Sequence, residues 1–542
     1  MVLIRAFSFF RRFSPDRDPH PAVSSIKYLQ QHIVILIEGM RKTGNVLEVG
    51  HSQEAHFRIE NRSVFAPLSQ FSMKYFLSID SMTHMNGHPK ASDGNCDQHS
   101  DIILHDIIPS ESARMSIDVS DYSRYARLGH KVFLNFRCYH RNKVEWMEKD
   151  VPIAMDQIEL IFFNESITSI PPKPRSMKGI RWTEDVKSIT IWIGEERTSV
   201  IDKAKGAVTN FYDRKGEDIF FGGNGMSPNF TRAATDNDMG GIDRSRKIMP
   251  TWVAFTLGLV ERATYYVRYL DHFSYLLQWR RIGLDSASNL QVTCKNIESR
   301  LNEDGTVCIY ATNQTHVGRT ILFEQQIIYR FHDDNSIEVS TRTRPKRSVQ
   351  CIPSIPRIGY RFCVRKELNN CVYFGRGPGE NYQDRKAGDN AFGIWASSPN
   401  KMRYNYIVPS ENGGRSDCYW AAFTNDQGEG LMIVGAEPIP LAAKADQCTE
   451  TFDFSALLHS QEELHAATHV CDLEQREEGK HPIFVNIDSF AMGIGGDIGW
   501  GPCCYPQYTL KTSETYTARF WLYAKSSNED PSFVGRQKAH TA

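Results

Sequence analysis

The stretch from Phe484 to Pro502, FVNIDSFAMGIGGDIGWGP, joins a strand-like run to a glycine-dense turn. Its first residues set large apolar side chains among small polar ones, which predicts a β-strand. Gly493–Gly496 then predict a turn in which the backbone adopts positive φ or approaches another group closely. Asp497 and Trp500 follow the turn, and a carboxylate and an indole ring there suit a sugar ligand. The same pattern also fits a tight turn whose tryptophan fills the core.

Short β-branched and aromatic runs separated by turn residues occupy most of the remaining chain. Strands do not alternate with helices in a sustained way, so a parallel sheet is not expected. The pattern predicts an all-β protein with one β-sandwich over residues 14–160 and a much larger one over 183–526. The predicted strands are IVILIEGM, HFRIEN, FSMKYFLSID, DIILHDI and KVFLNFRCY in the first sandwich, and SITIWIGE, AVTNFYD, CIYATN, QQIIYRFHDD, SIEVSTRTR, IPRIGYRFCV, LMIVGAE and YTARFWLYA in the second.

Other segments are predicted to lie outside the two sandwiches. Residues 161–182 contain three prolines among Ser, Thr and Lys and are interpreted as a linker. Residues 527–542 are polar and are predicted to be a disordered tail. Near the start, a proline-rich loop predicts a short helix with Ser24 or Ser25 as its N-cap.

Charge and cysteine content exclude several partners. The 63 basic and 64 acidic side chains nearly balance, so nucleic acid and an anionic membrane surface are not expected partners. The chain has no run of 18 or more uncharged apolar residues, so no membrane span is expected. The 12 cysteines are scattered without metal-binding spacing, which favours free thiols in a reducing, cytoplasmic location. Residues 1–13 carry arginines and no acid, as a transit peptide does, but lack the order of a secretory signal.

Loops rich in Gly, Asn, Asp and Arg occur at four places between strands. Their side chains both donate and accept hydrogen bonds, as a polyol ligand requires. Each could equally be a structural loop whose polar residues satisfy their own backbone. The sequence does not show whether they meet in space. They are NFTRAATDNDMGG at 229–241, YFGRGPGENYQDRKAG at 373–388, IVPSENGGRSD at 407–417 and the opening stretch.

These loops, together with SPDRDPHPAVSSIKYLQQ and IPRIGYRF, resemble in order and spacing the C-terminal part of the large β-galactosidases of glycoside hydrolase family 2. The resemblance runs from about Ser14 to Ala524. It implies that residues 14–160 are the immunoglobulin-like domain that follows the catalytic barrel. It also implies that residues from about 175 to 526 are the small-chain domain, a β-supersandwich related to galactose mutarotases. Residues 1–13 have no counterpart.

The resemblance implies hydrolysis of terminal β-D-galactosides such as lactose by two glutamates on a (β/α)₈ barrel. In the family that barrel lies upstream of the segment that reads Pro19-His20-Pro21 here. We therefore expect neither catalytic glutamate in this chain and assign no catalytic residue. The family uses Mg and Na in the barrel part. Its sodium-binding asparagine falls at Phe10, which has no amide oxygen, so we assign no metal ligand or cofactor.

Five residues are predicted to bind a galactoside or glucose-like sugar. Trp500 matches the family tryptophan that stacks on the sugar, and Asp497 begins the segment that reads Asp-Asp-Ser-Trp in the family but Asp-Ile-Gly-Trp here. Asp236 and Asn237 belong to the family's Asp-Asn-Asp loop, for which we expect a role near the site, and Glu411 lies in a third loop. The resemblance also implies a possible homo-oligomer.

One block departs from the family pattern. Residues 248–278 are aromatic-rich with a helical spread of apolar residues, and they separate two motifs that are normally close together. We predict an insertion that packs poorly, or a retained intron.

Two other functions remain open. One is a non-catalytic carbohydrate-binding or subunit-like protein. The other is mutarotase-like catalysis, for which His465, His469 and Glu411 are candidate acid/base groups.

Overall fold

The computed structural model describes residues 19–37, 46–50, 53–80, 83–85, 88–90, 100–102, 104, 107–145, 147–148, 151–162, 179–239, 274–388, 390–438, 446–496 and 504–541. Within these ranges β-strands are the predominant secondary structure, so the predicted all-β class is confirmed: a smaller β-sandwich, the first sandwich, is followed by a much larger one, here called the supersandwich. The helices are α1 (Ala22–Leu29), α2 (Ser123–Arg127), α3 (Tyr275–Ile282), α4 (Pro399–Met402), α5 (Gln461–Ala466) and α6 (Pro531–Ala539).

The strands of the first sandwich form two packed sheets and a separate hairpin. They are β1 (Ile33–Ile37), β2 (Val46–Val49), β3 (Glu54–Asn61), β4 (Phe71–Ile79), β5 (Thr83–Met85), β6 (His88–Lys90), β7 (Ser100–Ile102), β8 (Ser112–Asp118), β9 (Val132–His140) and β10 (Ala154–Phe162). One sheet has the order β1-β3-β8 and the other β2-β10-β9-β4-β7, while β5 and β6 form the hairpin. Alternating side chains, such as the buried Phe57 and Ile59 of β3, fill the space between the sheets.

The supersandwich contains three sheets. Its strands are β11 (Ile180–Glu184), β12 (Ser188–Ile193), β13 (Glu196–Asp202), β14 (Ala207–Phe211), β15 (Ser227–Asn229), β16 (Gln291–Leu301), β17 (Val307–Val317), β18 (Thr320–His332), β19 (Ser336–Pro345), β20 (Arg357–Val364), β21 (Asn370–Gly377), β22 (Ala391–Ser397), β23 (Arg415–Cys418), β24 (Trp420–Thr424), β25 (Gly430–Ala436), β26 (Gln447–Thr449), β27 (Phe452–Leu457), β28 (Ile483–Ala491) and β29 (Tyr516–Lys525). A ten-stranded sheet runs β16-β17-β18-β19-β29-β25-β24-β21-β22, with β26 paired to β29, and it faces sheets of order β11-β12-β13-β14 and β15-β20-β28-β27-β23. Its strands β24, β25 and β29 are buried along their whole length, and β25 reads as a continuous apolar run.

The outer face of the ten-stranded sheet contacts the first sandwich. Phe133 of β9 stacks on Phe392 of β22 at 5.5 Å between ring centroids. The Gln157 side chain, on β10, also reaches β22, donating to the Phe392 carbonyl at 3.0 Å and accepting from its N–H at 2.7 Å. The Gln157 side-chain amide pairs with the Phe392 backbone as the peptide group of a neighbouring strand would. The contact therefore fixes the position of the two sandwiches along β22 as well as the distance between them.

The predicted disordered tail is instead the helix α6, and this prediction is wrong. Asp530 caps its first turn, accepting from Ser532 N–H at 3.0 Å. Val534 is buried in an apolar cluster with residues of the ten-stranded sheet and of β9. Arg536 reaches Asp80 of the first sandwich at 2.8 Å. The polar composition of the tail predicted disorder, although the tail forms a helix that packs on both sandwiches.

Three smaller predictions also need correction. The helix α1 begins after Pro21, which makes no side-chain cap, whereas Ser24 and Ser25 lie within the helix. The predicted linker 161–182 overlaps the end of β10 and the start of β11. The predicted strand DIILHDI is represented by β7, which ends at Ile102.

The block 248–278 lies mostly outside the described residues. Its described end, however, enters α3, in which Tyr275, Leu276 and Gln278 are buried. Ser274 caps this helix by accepting from Leu277 N–H at 3.2 Å, and Trp279 is fully buried within a core cluster. The prediction of poor packing is therefore wrong for residues 274–278.

Candidate functional site

Arg232 lies at the centre of the region where the polar loops meet. It forms a two-pronged ion pair with Asp238, with Nε to Oδ2 at 3.0 Å and Nη2 to Oδ1 at 2.6 Å. Nη1 and Nη2 also donate to the carbonyls of Met492 and Gly493 at 3.1 and 3.0 Å. Burial lowers the pKa of Arg232, but Asp238 outweighs burial and raises it above its usual range. The charged guanidinium thus joins the 229–239 loop to the glycine turn.

A second buried arginine joins the third loop to β28. Arg357 contacts Glu411 at 2.6 Å and Asp488 at 3.2 Å, and all three side chains are buried. Burial raises the pKa of Asp488 to about 7, although Arg357 opposes the shift. The backbone also brings the loops together, because Glu411 N–H donates to the Ala233 carbonyl at 3.0 Å. Glu411 therefore braces two loops beneath the site.

The second loop forms a tight turn between Tyr382 and Arg385, whose backbones bond to each other. At its tip, Gln383 donates to both oxygens of Asp453 at 3.0 and 2.8 Å. The next residue, Asp384, accepts from the backbone of the glycine turn. Arg385 pairs with Glu380, and that carboxylate also accepts from Tyr406 Oη at 2.6 Å. Gln383, Asp384 and Arg385 are thus consecutive in the chain, and each contacts a different part of the structure.

The segment around His20 also reaches this region. Its ring lies 5.5 Å from that of Tyr404 and 6.1 Å from that of Tyr406. Burial, followed by the nearby Arg385 charge, lowers the pKa of His20. Ser25 Oγ of α1 donates to the Ala387 carbonyl at 2.9 Å. The start of the first sandwich is thereby attached to the site loops.

The predicted site residues fall into three groups. Asp236 and Asn237 are half-buried in the 229–239 loop, and Asn237 Nδ2 donates to the Ile494 carbonyl at 3.0 Å. Glu411 is buried in its ion pair. Asp497 and Trp500 lie outside the described residues. Of the five, the structure therefore brings Asp236, Asn237 and Glu411 to one cluster of loops, directly beside the turn that leads to Asp497 and Trp500.

Four buried carboxylates of this cluster each contact an arginine. They are Asp238, Glu380, Glu411 and Asp488. Retaining glycosidases need two carboxyl groups about 5–5.5 Å apart that face the sugar. The ion pairs of these four carboxylates with arginine hold neighbouring loops together. Within the described residues, no group of three or more His, Cys, Asp and Glu side chains could hold a metal ion.

The mutarotase candidates have separate positions. His465 Nδ1 accepts from Ala234 N–H at 3.2 Å, which places it beneath the 229–239 loop. His469 lies at the start of a short helical turn and bonds Thr468 Oγ1 at 3.1 Å. Glu411 is held by Arg357. These contacts give each candidate a structural function.

Sequence reasoning missed the residues that join the loops: Arg232, Arg357, Asp384 and Asp488. Arg232 and Asp384 stand inside the loop motifs, but the motifs carry no signal for which partner each side chain contacts. The two loops of each pair are more than a hundred residues apart in the chain. The partner of such a residue follows only from tertiary structure.

A family model described as beta galactosidase small chain matches residues 193–522. The chain belongs to this family. A beta-galactosidase of Lactococcus lactis subsp. lactis is 26% identical to the chain over 522 residues, covering 96% of this chain and 43% of the relative. A beta-galactosidase of Priestia megaterium is 26% identical over 377 residues, covering 70% of this chain and 30% of the relative. The chain thus spans less than half the length of these curated relatives.

A third relative is also a beta-galactosidase. A beta-galactosidase of Psychromonas ingrahamii is 24% identical over 501 residues, covering 92% of this chain and 40% of the relative. Among solved structures, a GalM/aldose epimerase homologue from C. elegans is 7% identical with a TM-score of 0.27, covering 65% of this chain and 100% of that chain. No helix within the described residues is long and apolar enough to cross a membrane.

Proposed function

We propose that this chain supplies the sugar-facing loops and the supporting scaffold of a β-galactosidase that hydrolyses terminal non-reducing β-D-galactosides such as lactose. The two catalytic glutamates would belong to a (β/α)₈ domain outside these 542 residues. The loops would bind a galactoside or a glucose-like sugar, with Trp500 as the stacking surface and Asp497, Asp236 and Asn237 beside it. This chain would need no cofactor of its own.

The observation that carries the proposal is the convergence of the polar loops in a member of the small-chain family. Arg232 joins residues 229–239 to the glycine turn, and Glu411 N–H joins residues 407–417 to the same loop. A rigid set of loops rich in donors and acceptors is what recognition of a polyol requires. The buried carboxylates are paired with arginines that join the loops, which supports a scaffold role for these side chains.

The first test is an assay of the purified chain with a chromogenic β-galactoside. The chain is expressed in a host that lacks a β-galactosidase of its own. We expect no turnover, because binding a sugar without a nucleophile stabilises the ground state and does not lower the barrier. Turnover that survives purification and disappears on substitution of a carboxylate within residues 14–526 would refute this placement of the chemistry.

The second test measures tryptophan emission on addition of lactose or glucose. We expect a saturable change that Trp500→Ala abolishes, because the stacking ring would be lost. Trp192→Ala is the matched control, since Trp192 lies on β12 and donates to Thr183 at 3.1 Å. No response in the unmodified chain would contradict a sugar site in it.

The alternative function, a non-catalytic carbohydrate-binding or subunit-like protein, also predicts sugar binding. It differs in predicting that no catalytic barrel is encoded together with this chain. The discriminating observation is the transcript upstream of Met1. An open frame that encodes a barrel with two glutamates supports the β-galactosidase, whereas a true start codon supports a carbohydrate-binding or subunit-like protein.

A further inference from the structure

The buried Arg357 guanidinium is shared by two carboxylates. Its Nη2 lies 2.6 Å from Glu411 Oε1, and its Nη1 lies 3.2 Å from Asp488 Oδ2. The exposed fractions of the Arg357, Glu411 and Asp488 side chains are 3%, 8% and 5%, so water screens their charges little. One positive charge therefore faces two acidic groups in the interior of the loop cluster.

The two contacts of Arg357 differ in quality. The contact with Glu411 has the length of a charge-assisted hydrogen bond. Within the part of the chain that the structure describes, Arg357 Nη1 and Asp488 Oδ1 have no hydrogen-bond partner. A buried carboxylate is costly in its charged form unless it is hydrogen-bonded and paired. Arg357 therefore stabilises the charge of Glu411 better than that of Asp488.

A third acid faces Asp488 from the neighbouring strand. Asp453 of β27 is the register partner of Asp488 of β28, and side chains directly opposite in an antiparallel pair have Cβ atoms about 4.5–5.5 Å apart. Asp453 accepts from the Gln383 amide and from the Asp417 N–H, which are neutral donors. On its other side Asp488 pairs with Gly359, which brings no charge. Ionisation of Asp488 would therefore place a second buried negative charge beside Asp453.

The charges around the two aspartates favour a proton on Asp488. Burial raises the pKa of Asp488 to about 7; Arg357 opposes the shift, whereas Glu411 and Asp453 add to it. Burial also raises the pKa of Asp453, to about 6. Arg232 faces Asp488 as well, but it is paired with Asp238. The charged groups that face the two aspartates are Arg357, Glu411, Arg232, Lys386 and Asp417.

We propose that Asp488 is a proton switch for the loop cluster. When it is protonated, Arg357 belongs to Glu411, whose N–H joins the 407–417 loop to Ala233 of the 229–239 loop. When it is ionised, Asp488 competes with Glu411 for the same guanidinium and the two loops are held less firmly. The switch acts on the loops themselves and goes beyond the proposed function, so it is tested without a sugar.

The test is peptide-level hydrogen exchange of the unmodified chain over residues 229–239 and 407–417, at several pH values between about 5 and 8. Each rate is divided by the intrinsic rate at that pH to give a protection factor. Local opening hydrates Asp488 and returns its pKa towards the ordinary value near 4, so opening becomes more favourable as pH rises. We expect protection to fall by up to about tenfold per pH unit from about pH 5 to 7 and to level off above.

Two variants assign this pH dependence to the shared arginine. Asp488→Asn keeps the shape without the charge, so at about pH 7.5 it should keep the protection that the unmodified chain has at about pH 5. Glu411→Gln removes the competing carboxylate, which gives Arg357 to Asp488, so the fall should move to lower pH. Asp426→Asn is the matched control, because Asp426 accepts from Asn370 Nδ2 at 3.0 Å at an exposed turn. It should leave the pH dependence unchanged.

Three results would overturn the switch. One is protection in the unmodified chain that does not change between about pH 5 and 7. Another is a pH dependence that Asp488→Asn retains in full, since a different group would then be titrating. If Asp488→Asn loses its native circular dichroism, Glu411→Gln decides, and a fall at the same pH as in the unmodified chain refutes the competition for Arg357. None of these results bears on whether the loops bind a sugar, which the tryptophan-emission test addresses separately.

Discussion

Removal of the Arg232 guanidinium should be among the most damaging single changes in this protein. In Arg232→Met, an apolar side chain of similar length replaces the charge. The change leaves Asp238, which is only 1% exposed, without its cation, and it leaves the carbonyls of Met492 and Gly493 without their donor. Breaking a buried ion pair by removing one partner costs about 3–5 kcal/mol. We expect a loss of that size in the free energy of unfolding.

The assay is urea denaturation followed by tryptophan emission, with Arg232→Met and Arg232→Met/Asp238→Asn compared with the unmodified chain. The double variant removes the uncompensated charge, so it should recover part of the lost stability. Arg300→Met is the matched control, because Arg300 and Glu298 form an exposed pair at 3.8 Å. Such pairs contribute about 0–1 kcal/mol.

Two results would refute the reasoning. One is a loss below about 1 kcal/mol for Arg232→Met, which would mean that Asp238 is solvated or finds another donor. The other is a double variant that is less stable than the single one, since the penalty would then not come from the buried carboxylate. Either result would mean that Arg232 does not hold the loop cluster together.

Two further predictions concern the first sandwich and the tail. Burial raises the pKa of Asp156 to about 7, against an ordinary value near 4, so the folded state holds a proton that the unfolded state releases. The free energy of unfolding should therefore fall by up to about 1.4 kcal/mol per pH unit as pH rises from 4 to 7. Urea titrations of Asp156→Asn at several pH values should lack this part of the pH dependence, and an unchanged pH dependence would contradict the burial argument. Deletion of residues 531–542 removes buried Val534 and the ion pairs Arg536–Asp80 and Lys538–Asp334, and should lower the free energy of unfolding by about 3–5 kcal/mol. Phe533→Ala, on the half-exposed side of the same helix, should change it little, and a stable truncated chain would show that the helix is dispensable.

Local patterns in the sequence were enough to predict the fold class and the family. Strand-like runs such as KVFLNFRCY and SIEVSTRTR coincide with β9 and β19, because side-chain alternation and β-branched content act within a few residues. The long motifs carried the resemblance to the β-galactosidases, which the family match confirms. The polar loops were also identified from composition, since glycine and Asx residues mark turns directly.

Tertiary structure decided the rest. The polar tail becomes a helix because Val534 finds an apolar surface on the ten-stranded sheet, which no local pattern predicts. The glycine turn that Arg232 and Asp384 hold lies more than a hundred residues from either of them, and a pairing of that kind depends on how the sheets bring their loops together. The sequence by itself identified the polar loops but not the side chains that join them. Only the fold decided that Glu411 braces and that Asp384 holds the glycine turn, because a carboxylate's function depends on which charge or N–H it meets when it is buried.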